Sequence, residues 1–249
     1  IAYVGAGVLA SSVGMDKALF KEVMRANAVP VLPSLTFTRS EVSQVTESLL
    51  KQIEALAPYP LFTKPANLGS SVGITKCRSR ADLLEGLMEA ARFDRRILVE
   101  RGLENPREIE ISVLGNDDPQ ASLPGEIVPS DDFYSYKAKY IDGLSALMIP
   151  ADLPQQVTTN LQQTAVRVYR SIDCSGMARV DFLMDRKTQA IFVSEVNTIP
   201  GFTSISMYPK LWEASGISYP ELIERLIGLA LERHAEKQRT QTRYGEEQA

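Results

Sequence analysis

The 249 residues include 27 lysines and arginines and 31 aspartates and glutamates, which gives a net charge of −4, and 44% of the chain is hydrophobic. This is the composition of a globular protein, and its negative charge excludes a global positive field that would attract nucleic acid. There is no apolar run of membrane-spanning length and no charged start that leads into an apolar signal core, so we expect a cytoplasmic protein without a membrane partner.

The hydrophobic pattern predicts helices mixed with strands along the chain. The predicted helices cover 15–28, 38–56, 79–92, 153–172 and 220–234, and the predicted strands cover 59–65, 96–101, 107–115, 179–184 and 190–197. Thr38 and Glu41 form a capping-box pair. The strand 107–115 alternates apolar and polar residues, so we expect the face that carries Glu110 and Ser112 to be wet. This order indicates an α/β or α+β protein with two subdomains joined near 115–123.

Two other segments have no clear period. Residues 129–143 carry four aromatic residues among charges, which is typical of a lid or a binding loop. Residues 198–212 are rich in turn formers, and we expect them to be irregular.

The scarcity of catalytic side chains narrows the chemistry. The chain has one histidine and two cysteines, Cys77 and Cys174, which lie far apart and which we expect to be buried. Cys–His, Ser–His–Asp and zinc-hydrolase mechanisms therefore have little to work with. Phosphoryl transfer, which depends mainly on positioning and on cations, is the most economical alternative.

A hairpin turn is predicted at 185–189, between two strand-like runs. Folding the chain there places Asp181 opposite Glu195 and Arg179 opposite Asn197, with all four side chains on one face. Opposed carboxylates repel each other. A divalent cation such as Mg²⁺, which prefers hard oxygen ligands, would turn that repulsion into attraction. A strand face whose charges point into water is the alternative.

Two further stretches have the parts of a nucleotide site. Lys64 at a strand end and the loop at 69–73 offer a positive charge and backbone N–H groups for phosphates, although no Walker motif is present and a flexible turn would look the same. By pattern alone, Lys17 and Lys139 are solvated surface lysines. The connection from Glu100 to Glu108 is either a hinge beside a nucleotide or an ordinary hairpin.

Five motifs together resemble the D-alanine–D-alanine ligase family of the ATP-grasp superfamily. They are GMDK, TKPANLGSSVGI, YKAKYIDG, ARVDFLMD and SEVNTIPGFTSISMYPKLW. The resemblance covers nearly the whole chain. It implies an α+β, ATP-grasp fold in which two α/β subdomains clasp a nucleotide between their sheets. It also implies a reaction in which ATP phosphorylates one D-alanine and the amine of a second D-alanine attacks, giving a dipeptide for peptidoglycan precursor synthesis.

The resemblance implies the nucleotide and metal ligands position by position. Lys17 and Lys64 hold ATP phosphates, Lys139 reaches the γ-phosphate from the lid, Glu100 and the Leu103 backbone border adenine, and Glu108 binds the ribose hydroxyls. Two Mg²⁺ (or Mn²⁺) ions are implied at Asp181, Glu195 and Asn197, with Glu195 bridging them.

The resemblance also implies the catalytic and substrate residues. Arg179 and the backbone N–H of Gly201 stabilise the oxyanion, Ser206 and Met207 receive the carboxylate of the second D-alanine, and Ser70 and Tyr140 help to close the lid. Relatives that make D-alanyl-D-lactate typically lack this tyrosine, so Tyr140 favours an amine as the second substrate, and hence D-alanine over D-lactate. A D-alanine–D-lactate or D-serine ligase is the alternative.

The sequence departs from the family at its start. The usual N-terminal domain, which supplies a glutamate for the first D-alanine and much of a homodimer interface, does not precede Tyr3, and Ala2 replaces the usual proline. We expect sequence to be missing upstream. We also expect these 249 residues to bind Mg·ATP but to ligate poorly or not at all. The expected subdomains are a remnant (1–16), two ATP-grasp subdomains (17–117 and 118–235) and a flexible tail (236–249).

Three rival interpretations remain. Another carboxylate-activating ATP-grasp enzyme would keep the lysines and the hairpin but would lack GSSVG and TSISM, which are both present. A non-catalytic ATP-binding fragment would bind ATP without D-alanine-dependent ADP release. A purely structural domain would have no reason to oppose Asp181 and Glu195.

Overall fold

The computed structural model describes residues 1–128 and 146–241. The predicted loop 129–143, with Lys139 and Tyr140, lies outside the described residues. The helices are α1 Val8–Met15, α2 Lys17–Ala26, α3 Arg39–Ser43, α4 Glu47–Glu54, α5 Arg80–Phe93, α6 Gln155–Ser171, α7 Met207–Ala214 and α8 Tyr219–Gln238. The strands are β1 Ser34–Thr38, β2 Leu61–Pro65, β3 Thr75–Cys77, β4 Arg96–Arg101, β5 Arg107–Gly115, β6 Gln120–Ala121, β7 Gly125–Val128, β8 Ala146–Met148, β9 Gly176–Met184 and β10 Ile191–Asn197.

The first sheet is built from residues 34–101. Its four antiparallel strands run in the order β1–β4–β2–β3. Helix α5 packs on β2 and β3. Its Leu83 and Leu87 meet Leu61, Ile97 and Val99 of the strands in a fully buried core. Apolar burial of this kind is the main source of stability in such a half-domain.

The second sheet has six antiparallel strands in the order β10–β9–β5–β7–β8, with β6 also paired to β5. Helix α6 covers one face with Leu161 and Val168, and α2 adds Phe20 and Met24 to the same core. In chain order, the second sheet starts with β5. The predicted boundary between the two ATP-grasp subdomains at residues 117 and 118 stays a prediction. The predicted α+β class is confirmed.

Two predicted helices are interrupted. The one predicted over 38–56 is α3 followed by α4, because Thr46 caps a new helix by accepting a hydrogen bond from Leu49 N at 3.2 Å. The capping box of Thr38 and Glu41 is confirmed. The helix predicted over 15–28 begins only at Lys17, because Asp16 is extended and caps it, and a separate helix, α1, precedes it.

The face of β5 that was expected to be wet is buried, so that prediction was wrong. Glu110 is 6% exposed and Ser112 is 0% exposed. Helix α7 covers this face: Ser112 Oγ donates to the carbonyl of Tyr208 at 3.2 Å, and Tyr208 Oη donates to the carbonyl of Val113 at 3.0 Å. Residues 198–212 were predicted to be irregular, yet they contain most of this helix.

Both cysteines are buried, as predicted. Burial raises the pKa of the Cys77 thiol to about 11 and that of Cys174 to about 12. Within the two described stretches, no helix combines the length and the apolar character needed to cross a membrane.

Candidate active site

A cavity of about 910 Å³ lies between the two sheets. Its walls come from β2 and β4 of the first sheet and from β5, β9 and β10 of the second. It brings together residues that the resemblance had singled out: Lys17, Lys64, Glu100, Glu108, Asp181 and Glu195. Ser70 and Leu103 also line it. Its size is suited to a ligand as large as a nucleotide.

The hairpin of β9 and β10 has the predicted register at its functional end. Asp181 pairs with Glu195, and Arg179 pairs with Asn197. The sequence did not reveal a β-bulge at Ser194, where the register shifts between Val193 and Glu195. Because of this extra residue, Val193 and Val196 both face the core although they are three positions apart.

Arg179 lies at the centre of a network of carboxylates. Its Nε and Nη2 atoms donate to Oδ1 and Oδ2 of Asp181, both at 2.7 Å, and Nε lies 3.0 Å from Oε2 of Glu110. Burial alone lowers the pKa of the guanidinium, but Asp181 and Glu110 outweigh it and raise that pKa above its usual value. Asn197 Nδ2 donates to the same Asp181 carboxylate at 3.0 Å.

Glu110 was not among the predicted site residues. It pairs with Asp181 across β5 and β9, just as Glu195 does across β9 and β10, so three carboxylates form a row across three neighbouring strands. The alternation of β5 marked Glu110 as polar but assigned it to a wet face. The signal that could have found it is its position in a strand next to the hairpin.

The donor set of the hairpin fits a hard divalent cation. Asp181 and Glu195 oppose each other, and Asn197 adds an amide oxygen, which are the oxygen ligands that Mg²⁺ prefers. In the part of the chain that the structure describes, no group of three or more His, Cys, Asp or Glu side chains could hold a metal ion by itself. Solvent and phosphate oxygens would therefore have to complete the coordination of any ion.

Two lysines line the cavity, one from helix α2 and one from strand β2. Lys17, in the first turn of α2, has its Nζ 3.8 Å from Oε2 of Glu195 and donates to the carbonyl of Leu68. Lys64 on β2 donates to Oε2 of Glu100 at 2.6 Å. Positive charge therefore lies at the phosphate end that the resemblance implies, opposite the carboxylate row.

Glu100 is buried although it is charged. Burial opposes ionisation, but Lys21 and Lys64 more than compensate and lower the pKa of Glu100 to about 2. Lys21 on α2 forms an ion pair with the other carboxylate oxygen, and no sequence motif had pointed to it. Glu100 thus lines the cavity as an anion held between two ammonium groups.

The loop between β2 and β3 contributes backbone to the cavity wall. Ser70 and Ser71 have φ values of 55° and 61°, in the left-handed region that non-glycine residues seldom adopt. Gly73 follows with φ of 70°, and a Cβ atom there would lie 2.7 Å from the Phe93 ring. Backbone held in such conformations is typical of binding loops.

One side of the cavity is formed by the connection between β4 and β5. Leu103 is buried, and Glu108 lies near the start of β5, where it pairs with Leu183. The backbone before Leu103 is fixed, since Gly102 N donates to the carbonyl of Pro60 at 2.8 Å. Both predicted residues therefore border the cavity, Leu103 from the connection and Glu108 from β5.

Gly201, Ser206 and Met207 lie together at the start of α7, outside the lining of the main cavity. Ser206 is the N-cap, its Oγ accepts from Thr203 N at 3.0 Å, and a Cβ atom on Gly201 would lie 2.9 Å from that oxygen. The Met207 side chain packs against Ile127. The part of Met207 left to meet a carboxylate is its backbone N–H at the helix N-terminus.

A family model described as the D-ala D-ala ligase C-terminus matches residues 23–228. The chain belongs to the D-alanine–D-alanine ligase family. Curated D-alanine–D-alanine ligases agree: the one from Acetivibrio thermocellus is 52% identical over 94% of this chain, and that from Heliobacterium modesticaldum is 50% identical over 97%. The chain spans 62% and 66% of the length of these two relatives.

Solved structures of the D-alanine–D-alanine ligase family share the fold. The D-alanine–D-alanine ligase from Coxiella burnetii superposes with a TM-score of 0.80 at 40% identity, covering 96% of this chain and 62% of its own. The VanG D-Ala:D-Ser ligase from Enterococcus faecalis has a TM-score of 0.81 at 35% identity, covering 91% and 64%. The α+β fold is therefore the ATP-grasp fold that the resemblance implied.

Proposed function

We propose that this chain is the ATP-binding part of a ligase that joins two D-alanines into D-alanyl-D-alanine for peptidoglycan precursors. The observation that carries the proposal is the placement of Asp181 and Glu195 at a cavity that Lys17 and Lys64 also line. Arg179 is hydrogen-bonded to Asp181 beside it. Cations facing a pair of opposed carboxylates are the parts needed to bind a triphosphate with divalent metal.

In the proposed reaction, the γ-phosphoryl group of ATP moves to a carboxylate oxygen of the first D-alanine, and ADP leaves. The amine of the second D-alanine attacks the acyl carbon, loses a proton, and displaces inorganic phosphate. Lys17, Lys64 and, from outside the described residues, Lys139 orient the phosphates. Glu108 and the Leu103 backbone hold the nucleoside.

Arg179 stabilises the oxyanion that forms when the amine attacks. Its guanidinium is held in place by Asp181 and Glu110, so it needs little reorganisation during the reaction. Gly201 N–H assists it, and the N-terminus of α7 at Ser206 and Met207 receives the carboxylate of the second D-alanine. We propose that Ser70 acts with Tyr140 to close the site.

Mg²⁺ ions, when bound, would be held by Asp181, Glu195 and Asn197 and would neutralise phosphate charge. The fit rests on the opposed carboxylates of Asp181 and Glu195, because a cation shared between them would relieve their mutual repulsion. Mn²⁺ has the same ligand preference and is an alternative ion.

A D-alanine–D-serine ligase is the second candidate, because the VanG D-Ala:D-Ser ligase shares the fold. The curated D-alanine–D-alanine ligases are 52% and 50% identical to this chain, whereas VanG is 35% identical, and this favours D-alanine as the second substrate. We also propose a cytoplasmic protein that forms a homodimer if the family's N-terminal domain is present, as the resemblance implies. Sedimentation analysis would test this.

The test is product analysis by mass spectrometry. The purified protein is incubated with ATP, MgCl₂ and D-alanine, with D-serine and D-lactate as competing second substrates. We expect D-alanyl-D-alanine to be the main dipeptide formed, in low yield from these 249 residues, with one ADP formed per dipeptide. ATP binding without D-alanine-dependent ADP release would instead identify a non-catalytic nucleotide-binding fragment. Failure to bind ATP would contradict the proposal.

A further inference from the structure

Helix α2 carries two lysines one turn apart that contact different sheets. Lys17 faces Glu195 on β10 of the second sheet, and Lys21 forms an ion pair with Glu100 on β4 of the first sheet. The same helix inserts Phe20 and Met24 into the core beneath the second sheet. Lys21 therefore connects this core to the opposite wall of the cavity.

Lys21 and Glu100 form one part of a buried triad with Lys64. Lys21 and Glu100 each have 2% of their side chain exposed, and Lys64 has 15% exposed and lines the cavity. Each oxygen of the Glu100 carboxylate meets a different ammonium group: Oε1 meets Lys21 and Oε2 meets Lys64. One negative charge is thus shared by two positive charges.

We propose that Lys21 is a positioning residue that neutralises Glu100 and thereby leaves Lys64 available to a phosphate group of the nucleotide. A buried carboxylate that loses a partner holds the remaining one more tightly, because an uncompensated buried charge is strongly unfavourable. Without Lys21, Lys64 would be the remaining counter-ion of Glu100 in this triad, and it could bind a phosphate only by leaving that carboxylate unpaired. This inference rests on the proposed binding of ATP.

The neighbouring cation on α2 does not replace Lys21. The Arg25 guanidinium is engaged by Glu22, with which it forms an ion pair, and by Ser34 Oγ. If Lys21 served only to hold α2 against β4, replacing it would weaken the binding of every ligand of the cavity alike. The positioning role affects phosphate-bearing ligands selectively, and this difference can be measured.

The first experiment compares the binding of ATP and adenosine by calorimetry. In Lys21→Met, we expect ATP to bind about tenfold more weakly, the scale of one charge-assisted hydrogen bond, while adenosine affinity stays within about twofold. Lys21→Arg keeps the charge and should restore most of the ATP affinity. Unchanged ATP affinity, or an equal loss for both ligands, would overturn the proposal.

A double variant guards against misfolding of Lys21→Met. Lys21→Met combined with Glu100→Gln removes both members of a buried pair, which proteins tolerate better than the loss of one. Because Lys64 then has no carboxylate to neutralise in the triad, the preference for ATP over adenosine should return to that of the unaltered protein. A preference that stays as low as in Lys21→Met would count against the proposal.

A second experiment needs no nucleotide. Lysines are acetylated briefly with acetic anhydride, and the rate at Lys64 is measured by mass spectrometry relative to the exposed Lys51. We expect Lys64 to react several-fold more slowly in Lys21→Met than in the unaltered protein, because Glu100 holds it. Equal rates would overturn the role of Lys21. If the unaltered protein bound no ATP, the proposed function would fail, while this labelling would still decide the role of Lys21.

Discussion

Arg179 and Asp181 lie two residues apart on the same face of β9 and form a two-pronged ion pair with both N–O distances at 2.7 Å. Such paired hydrogen bonds fix the orientation of a guanidinium as well as its charge. Because Asp181 is also a proposed metal ligand, binding of the cation and orientation of Arg179 are coupled through one carboxylate. Glu110, whose Oε2 lies 3.0 Å from Arg179 Nε, is a second anchor that is not among the proposed metal ligands.

Arg179→Lys should abolish most turnover while leaving ATP binding intact. A lysine keeps the charge but cannot reproduce the two parallel hydrogen bonds of the guanidinium to Asp181. Loss of one oxyanion donor typically lowers turnover by about 10²–10³-fold. ADP release dependent on D-alanine gives the turnover, and calorimetry gives the ATP affinity. Arg225→Lys, on the exposed surface of α8, is the matched control and should behave like the unaltered protein. Normal turnover in Arg179→Lys would contradict the assigned role.

Glu195→Gln should raise the Mg²⁺ concentration needed for half-maximal activity by about tenfold or more, because a proposed metal ligand is lost. In the absence of metal, the melting temperature of Glu195→Gln should not be lower than that of the unaltered protein, since the change also removes the repulsion from Asp181. A Mg²⁺ titration of ADP release and a thermal melt in EDTA measure the two effects. EDTA should stop ADP release altogether. An unchanged Mg²⁺ requirement would remove Glu195 from the metal site.

Glu100 should make the protein sensitive to acid. Its pKa is lowered from 4.5 to about 2 in the folded state, so its contribution to stability is present above pH 4.5 and is lost as the pH falls towards 2. The shift corresponds to roughly 3 kcal/mol of unfolding free energy. Urea denaturation at a series of pH values should show a shallower acid loss in Glu100→Gln. Identical slopes between pH 5 and pH 2.5 would show that Glu100 is not held as an anion.

Two helical glycines should respond to alanine in opposite directions. In α5, a Cβ atom on Gly86 would lie 2.4 Å from Thr63 Oγ1 and 2.9 Å from Thr75 Cβ, so Gly86→Ala should destabilise the first sheet by about 1–3 kcal/mol. In α8, a Cβ atom on Gly228 would meet nothing within 4 Å, so Gly228→Ala should stabilise by up to about 1 kcal/mol. Urea denaturation measures both, and shifts of the same sign would refute the packing argument.

The register at Asp181 and Glu195 was predictable because a polar turn and the two-residue period of strands define it together. The bulge at Ser194 was not, since a single extra residue leaves the turn and the composition unchanged. The only sign of the bulge in the sequence is that the two buried residues Val193 and Val196 are three positions apart rather than two.

Lys21 and Glu110 were missed for a related reason. Charged residues on a helix and on an alternating strand usually face water, and local pattern carries no information about what covers them. Helix α7 was missed because Gly, Ser and Pro dominate its surroundings, although Pro209 lies in the first turn, where proline is tolerated. In each case a distant element decided the outcome.

The division of the strands has a consequence for synthesis on the ribosome. The first sheet and its buried cluster come entirely from residues 34–101, so this half can form as soon as that stretch has emerged. Strand β5 can pair with β6 and β7 soon after it is made, but its pairing with β9 must wait until that later strand is made. Lys21 can therefore meet Glu100 early, whereas Lys17, from the same helix, meets Glu195 only when the chain is nearly complete.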